Sequence, residues 1–91
     1  NVGGPQINAP GLMVDSREDR WDAGYCGYYT LTNTTAEPIE WALRIEVEGE
    51  INNSWNCERS GASGLVVFTG AGWNQVIPPM QQADFGFCAD L

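Results

Sequence analysis

The side chains with the clearest chemical potential in this sequence are tryptophans in polar surroundings. Trp21, Trp55 and Trp73 each stand among glycine, asparagine, serine and charged residues, with few apolar neighbours along the chain. A tryptophan that packs in a core is normally accompanied by apolar residues at regular spacing. The local sequence therefore predicts that these three indoles lie at the surface, where their chemistry is non-covalent stacking.

A flat indole beside amide groups is the physical complement of a pyranose ring, which has an apolar C–H face and a rim of hydroxyl groups. Stacking on one sugar ring hides roughly 100 Å² of apolar surface, or about 2.5 kcal/mol, which does not offset the cost of association. Several coplanar rings would offset it. The amides predicted to reach the hydroxyl rim are Asn53, Asn56, Asn74 and Gln75, although turn and cap roles account for each of them equally well.

The sequence offers little for covalent catalysis. It contains no histidine, which excludes a Ser-His-Asp triad, a histidine zinc site and a copper-binding histidine brace. Glu46 and Glu48 are predicted on the solvent side of a strand, so a solvated face explains them better than a catalytic carboxylate pair. We therefore predict no enzymatic activity, no metal and no cofactor. The acidic residues that come nearest to a calcium site lack the central glycine of a calcium loop; they are Asp15, Glu18, Asp19 and Asp22.

The charge balance limits the choice of partner. Twelve acidic residues against four arginines give a net charge of -8 over 91 residues. Such a surface repels phosphate backbones and anionic membranes, which argues against nucleic acid and membrane partners and favours a neutral ligand. No run of about 18 apolar residues is present to span a bilayer. We expect a secreted, extracellular protein whose export signal lies outside this stretch.

The cysteines indicate one disulfide. Cys26, Cys57 and Cys88 occur without histidine or a Cys-x-x-Cys motif, which argues against a zinc site and is typical of an exported protein. Cys26 and Cys88 are both predicted to face outward on strands that could be neighbours, so this pair is preferred, followed by Cys26 with Cys57. Three cysteines allow three single pairings, and the sequence does not choose between them.

Period-two alternation of apolar residues predicts β-strands, and no segment has helical spacing over three turns. The clearest alternation covers 41–48 and assigns Trp41 to the core. Further strands are predicted at 25–33, 65–69 and 83–89. A short edge strand is predicted at 12–14 and a charged loop at 15–20. A polar stretch at 52–64 is predicted to carry Trp55 through a loop or sheet edge, and 76–79 to form a rigid connection.

These elements predict an all-β fold, an antiparallel two-sheet β-sandwich of the immunoglobulin-like or jelly-roll-like kind. The sandwich is predicted to span 12–91 as a single domain. Residues 1–11 are rich in proline and glycine and are predicted to form a linker-like arm.

Several short motifs carry a resemblance to a known family. They are Trp21-Asp22-Ala23-Gly24-Tyr25, Thr30-Leu31-Thr32-Asn33-Thr34, Ile39-Glu40-Trp41-Ala42-Leu43, Trp55-Asn56, Ser60-Gly61, Trp73-Asn74 and Phe85-Gly86-Phe87. In order and spacing they resemble the family 2 carbohydrate-binding modules, the cellulose- and chitin-binding sandwiches attached to bacterial glycoside hydrolases. The resemblance runs from Trp21 to Phe87, most of the chain.

The resemblance implies that Trp21, Trp55 and Trp73 form a flat ligand platform and that Trp41 is core. Gly24 leaves room for the first ring to lie flat, which favours a surface of cellulose or chitin. Where the family often has polar platform residues, this sequence has Tyr28 and Cys88. The family usually joins cysteines near both termini, whereas the cysteines here are internal, so that disulfide is not implied.

The sequence thus predicts a monomeric, non-catalytic module that adsorbs to an insoluble β-linked polysaccharide and targets an attached glycoside hydrolase. Cellulose is the preferred ligand, before chitin or xylan. The alternative is a structural or protein-binding sandwich in which the same aromatic surface docks a partner domain. Planarity separates the two hypotheses: indoles in one row on one sheet face favour a polysaccharide, and a convex or scattered cluster favours a protein.

Overall fold

The computed structural model describes residues 6–7 and 11–91, and these residues form ten β-strands and no helix. No described helix is therefore long and apolar enough to cross a membrane. The all-β class predicted from the sequence is confirmed. The strands are β1 (Gln6–Ile7), β2 (Leu12–Trp21), β3 (Gly24–Asn33), β4 (Ile39–Glu40), β5 (Ala42–Val47), β6 (Glu50–Trp55), β7 (Cys57–Arg59), β8 (Gly64–Gly70), β9 (Val76–Ile77) and β10 (Gln82–Asp90).

Four strands form what we call the front sheet, in the order β2-β3-β10-β6, with every neighbouring pair antiparallel. The central strands β3 and β10 pair from Gly24 opposite Asp90 to Thr32 opposite Gln82. The back sheet has the order β1-β5-β8-β7 and is also antiparallel. A small third sheet pairs β4 with β9.

Apolar side chains of the two large sheets meet in one core. The ring of Phe68 on β8 lies with its centroid 5.2 Å from those of both Phe85 and Phe87 on β10. Trp41 is only 1% exposed and stacks on Phe85 at 5.1 Å. The predicted core role of Trp41 is therefore confirmed. Because side chains alternate along a strand, the other residues of β3 and β10 point away from this core, onto what we call the front face.

The sequence prediction for 15–20 is wrong, because these residues continue β2 as an edge strand as far as Trp21. All of them are exposed, so the alternation that marks a half-buried strand is missing. Charged contacts replace apolar packing: Arg20 Nε donates a hydrogen bond to Glu18 Oε2 at 2.6 Å, and the guanidinium lies 4.7 Å from the Tyr25 ring centroid. Charged side chains on an edge strand also discourage pairing with another molecule.

Two further segments differ from the sequence prediction. Within the predicted arm, Gln6–Ile7 pair with Leu43 and Arg44 of β5 as strand β1; residues 1–5 and 8–10 of the arm lie outside the described residues. Within the predicted rigid connection at 76–79, the first two residues form β9. Both strands are two residues long, too short for an alternation pattern to reveal.

Asn33, at the end of β3, ties the front sheet to the small sheet. Its side chain is fully buried, and its Nδ2 donates to the carbonyl oxygens of Glu37 at 2.7 Å and of Ile77 at 2.9 Å. Its Oδ1 accepts hydrogen bonds from the backbone N–H and the hydroxyl of Thr35. A buried amide satisfied in this way fixes the path of the chain after β3.

Candidate functional site

Trp21 lies at the end of β2, opposite Gly24 across the tight turn at Asp22 and Ala23. Its side chain is 51% exposed. A Cβ atom placed on Gly24 would stand 3.4 Å from Trp21 Cζ2, so the indole rests against the glycine backbone. The turn reverses the chain and brings the ring beside position 24, where an added Cβ atom would overlap the Ala89 carbonyl oxygen and would be in ordinary contact with the indole.

The Trp55 indole packs on a glycine near the opposite edge of the front sheet. It ends β6, opposite Gly86 on β10, and a Cβ atom at position 86 would overlap its Cζ2 and Cε2 atoms. Gly86 pairs on its other side with Tyr28 of β3. The Tyr28 and Trp55 ring centroids are 5.8 Å apart, with 47° between the ring planes. Arg17 of β2 completes this row, with its guanidinium 4.3 Å from the Tyr28 ring centroid.

Trp73 is the most exposed of the four tryptophans, at 74%, and lies in the turn between β8 and β9. Its neighbour Asn74 fixes this turn at two points. Trp41 Nε1 donates a hydrogen bond to the Asn74 carbonyl oxygen at 2.8 Å, and Asn74 Nδ2 donates to the Asn56 carbonyl oxygen at 2.9 Å. The turn that carries Trp73 is therefore joined both to the core and to the residue that follows Trp55.

The predicted amides divide by environment. Asn53 is exposed on β6 opposite Cys88, and Gln75 is exposed beside Trp73. Asn56 has a left-handed backbone conformation, with φ 60°, and its Nδ2 lies 3.4 Å from Asp84 Oδ1. Asn74 has its Nδ2 committed to Asn56, and its Oδ1 is buried without a partner among the described residues. A ligand contact through any of these amides stays a prediction.

The structure thus brings part of the predicted set together. Trp55, Tyr28, Asn53 and Asn56 are close neighbours on or beside the front face, and Asn74 connects them to the Trp73 turn. Trp21 ends β2 opposite Gly24, which begins β3 four residues before Tyr28.

Residues that the sequence prediction missed line a depression of about 390 Å³ next to Trp55 and Tyr28. They include Asp15, Arg17, Thr30 and Asp84. For Asp15 and Arg17 the sequence does contain a signal, because residues at every second position before Trp21 lie on the same face of a strand as Trp21. That signal becomes visible only once 15–20 is recognised as strand.

Cys26 and Cys88 form a disulfide, which confirms the preferred pairing. They are in direct register on β3 and β10, and both side chains are partly exposed. Cys57 is a free thiol that packs against the core. Burial raises the pKa of the Cys57 thiol, so its reactive thiolate form is disfavoured. Within the described part of the chain, no group of three or more acidic or sulfur side chains is arranged to hold a metal ion.

Relatives of this chain include parts of larger enzymes. It is 28% identical over 85 residues to endoglucanase B of Cellulomonas fimi, an alignment that covers 91% of this chain and 8% of the endoglucanase. It is 32% identical over 85 residues to endoglucanase E-5 of Thermobifida fusca, covering 89% of this chain and 18% of that enzyme. The chain therefore corresponds to less than a fifth of either endoglucanase.

Two further comparisons extend the range of relatives. A cellulose/chitin binding protein of Mycobacterium bovis is 28% identical over 74 residues, which cover 78% of this chain and 52% of that protein. The solved structure of chitinase ChiA74 from Bacillus thuringiensis superposes with a TM-score of 0.66 at 25% identity, covering 87% of this chain and 13% of the chitinase.

The family assignment rests on a match over most of the chain. The sequence model described as "Cellulose binding domain" matches residues 14–91, a range that contains every strand of the front sheet except the first two residues of β2. The matched range also contains all four tryptophans and the Cys26–Cys88 disulfide. The chain is a carbohydrate-binding module and belongs to the cellulose binding domain family.

Proposed function

We propose that this domain adsorbs to an insoluble β-linked polysaccharide through a platform formed by Trp21, Trp55 and Trp73. One observation carries the proposal. The indole of Trp55 packs directly on Gly86 and that of Trp21 lies beside Gly24, both on the front sheet, and the turn that carries Trp73 is hydrogen-bonded to the turn after Trp55. Rings fixed to a rigid sheet in this way need little further ordering when a ligand binds.

Energetics support a ligand with several sugar rings in a row. One stacked ring contributes about 2.5 kcal/mol of apolar burial, which association costs largely cancel. When three indoles stack on one polymer chain, the cost of association is incurred once while the apolar burial is gained three times. Exposed aromatic area of this size also calls for a partner, since Trp21 and Trp73 are 51% and 74% exposed.

Cellulose is the proposed ligand, before chitin or xylan. The family model is described as a cellulose binding domain, and one relative is named a cellulose/chitin binding protein. The ligand must also be compatible with a net charge of -8. A neutral glucose polymer meets that requirement because it is not repelled by the acidic surface. Tyr28 widens the aromatic surface beside Trp55, and Asn53, Asn56 and Gln75 are proposed to bond the hydroxyl rim; Asn74 is proposed to support this set by holding the Trp73 turn.

We further propose that the domain performs no catalysis and acts in a secreted protein by holding an attached glycoside hydrolase near its substrate. Tethering raises the effective concentration of a catalytic domain at the surface without any new contact in the active site. The endoglucanase relatives, in which the matching region is a small part of the enzyme, support this arrangement. The domain is expected to be a monomer.

The test is adsorption to microcrystalline cellulose, to chitin and, in affinity gels, to soluble xylan. The intact domain is compared with Trp21→Ala, Trp55→Ala and Trp73→Ala, each checked for folding by circular dichroism. We expect the intact domain to be depleted by cellulose, and each variant to bind about 10 to 100 times more weakly, which corresponds to the loss of one stacked ring.

Leu65→Ala is the matched control. Leu65 is 53% exposed, but it lies on β8 of the back sheet, so its removal should leave adsorption unchanged. Equal losses for Leu65→Ala and for the tryptophan variants would indicate non-specific apolar adsorption. If folded wild-type protein binds none of the three polysaccharides, the proposal is wrong and the aromatic surface is better explained as a protein-docking interface.

A further inference from the structure

The Cys26–Cys88 disulfide lies on the front face, between the positions of the two indoles. Cys26 is two residues from Gly24 and two from Tyr28 along β3, and Cys88 is two residues from Gly86 along β10. Residues two apart on a strand point to the same face and are separated by about 7 Å. The disulfide therefore lies between the position of Trp21, beside Gly24, and the position of Trp55, on Gly86.

The disulfide and its cross-strand neighbours are accessible to solvent. Both cysteines are partly exposed, and the strand residues that flank them, Asp19 on β2 and Asn53 on β6, are exposed. The described residues that pack in the core come from the other side of β3 and β10, as the burial of Tyr25, Phe87 and Ala89 shows. The disulfide is thus placed on the surface that carries Trp21 and Trp55 rather than inside the sandwich.

We propose, on the basis of the function proposed above, that the Cys26–Cys88 disulfide is itself a ligand-contacting part of the platform. A disulfide has no hydrogen-bond donor, and its polarisable sulfur atoms make dispersion contacts. It packs against the C–H faces of the sugar units that lie between the unit stacked on Trp21 and the unit stacked on Trp55. An apolar contact at this point favours a polymer chain that lies with its C–H face towards the sheet.

The test measures access to the disulfide in the adsorbed protein. Wild-type domain, free or adsorbed on whichever of microcrystalline cellulose and chitin binds it, receives a short pulse of a water-soluble phosphine. The phosphine reduces the disulfide to two thiols and is oxidised to the phosphine oxide, with water supplying the oxygen. After quenching and denaturation, thiols are alkylated, and mass spectrometry of the peptides gives the reduced fraction. Cys57, alkylated in every molecule, calibrates peptide recovery.

Leu65→Cys reports how freely reagents reach adsorbed protein in general, because position 65 is exposed on the back sheet. We expect adsorption to slow reduction of Cys26–Cys88 about tenfold, since attack requires access to a sulfur atom, and to leave maleimide labelling of Leu65→Cys unchanged. If the disulfide is reduced equally fast in adsorbed and free protein, the inference is wrong while adsorption, and with it the proposed function, stands. Equal slowing at both positions also contradicts it, because that result indicates general exclusion by the solid.

A double variant, Cys26→Ala with Cys88→Ala, gives a second measurement. Provided that it keeps the circular dichroism spectrum of the wild type, we expect its affinity for the solid to fall about threefold to tenfold through lost dispersion contacts. Unchanged affinity in a folded double variant contradicts the inference. If the double variant does not fold, the reduction experiment on the wild type decides. Absence of adsorption by the wild type itself is a different result, and it overturns the proposed function first.

Discussion

At the scale of single residues, the candidate site depends on glycines as much as on tryptophans. The indole of Trp55 occupies the space above Gly86, and that of Trp21 rests against Gly24. The polar sequence around Trp21 and Trp55 predicts that neither is a core residue, and the alternation around Trp41 predicts that Trp41 is one. The glycine contacts are not predictable in this way, because they depend on which residues become partners across β3, β10 and β6.

Gly86→Ala tests the packing of Trp55 on Gly86. The new methyl group would overlap the Trp55 ring and stand 2.7 Å from the Gly27 carbonyl oxygen. We expect a loss of about 1–3 kcal/mol in the free energy of unfolding, as for other overpacked positions, together with weaker adsorption because the ring is displaced. Urea denaturation and cellulose depletion measure the two effects.

Gly61→Ala is the control for Gly86→Ala, because no atom lies within 4 Å of a Cβ at position 61. It should change neither stability nor adsorption. Wild-type adsorption by Gly86→Ala would show that the position of the Trp55 ring does not matter for binding.

At the scale of elements, the strands differ in how far the sequence predicts them. The alternation of β5 and β10 arises because each strand has one buried and one more exposed face, so the sequence predicts the bounds of both strands closely. β2 is only partly predicted, because beyond Val14 both of its faces are exposed. Its charged side chains form ion pairs instead of packing in a core, Arg17 with Asp19 and Arg20 with Glu18. The pairing of β2 with β3 decides which of its residues reach the front face, and that pairing is tertiary information.

Asn33→Ala tests how the end of β3 is held. The substitution removes the donor to the Ile77 carbonyl oxygen and the acceptor for the Thr35 N–H. Because buried groups are left without partners, we expect the free energy of unfolding to fall by about 2–4 kcal/mol. Urea denaturation measures it.

Asn52→Ala is the matched control, since Asn52 is exposed and its Nδ2 donates a hydrogen bond to the exposed Asp90 side chain. Its effect should be within about 0.5 kcal/mol. Equal losses for the two variants would show that burial of Asn33 does not matter. Adsorption per folded molecule should be unchanged in both, because neither residue belongs to the proposed platform.

At the scale of the whole molecule, the sandwich places its aromatic side chains in two populations. One is the core, where Phe68, Phe85, Phe87 and Trp41 stack between the sheets. The other is on the surface. Composition and strand count predict the sandwich itself, and the order of strands in each sheet comes only from the structure. Tyr29 belongs to the first population: its ring stacks on Phe85 and Phe87, and burial raises the pKa of its hydroxyl to about 12.

This raised pKa makes stability fall at alkaline pH. Between about pH 10, where an unfolded tyrosine loses its proton, and about pH 12, the folded chain holds a proton that the unfolded chain has released. The stabilisation from Tyr29 is therefore complete below about pH 10 and is lost as the pH approaches the folded value of about 12. Allowing for partial exposure of the ring, we expect a loss of about 1–2 kcal/mol over that interval.

Urea denaturation of the wild type and of Tyr29→Phe, at a series of pH values across this interval, measures the effect. The variant should lose less stability with rising pH. Some dependence should remain in it, because burial also raises the pKa of Tyr25. Parallel curves for the two proteins would contradict the assignment to Tyr29.

Because Trp41 is buried and the other three tryptophans are at or near the surface, the protein carries its own optical reporter. An indole surrounded by water fluoresces at longer wavelength than one in an apolar environment, so emission from Trp21 and Trp73 lies to the red of that from Trp41, which is 1% exposed. A ligand that covers the proposed platform removes water from the first group and leaves Trp41 as an internal standard. Occupancy of the platform should therefore be measurable as a shift of the tryptophan emission to shorter wavelength, without any added label.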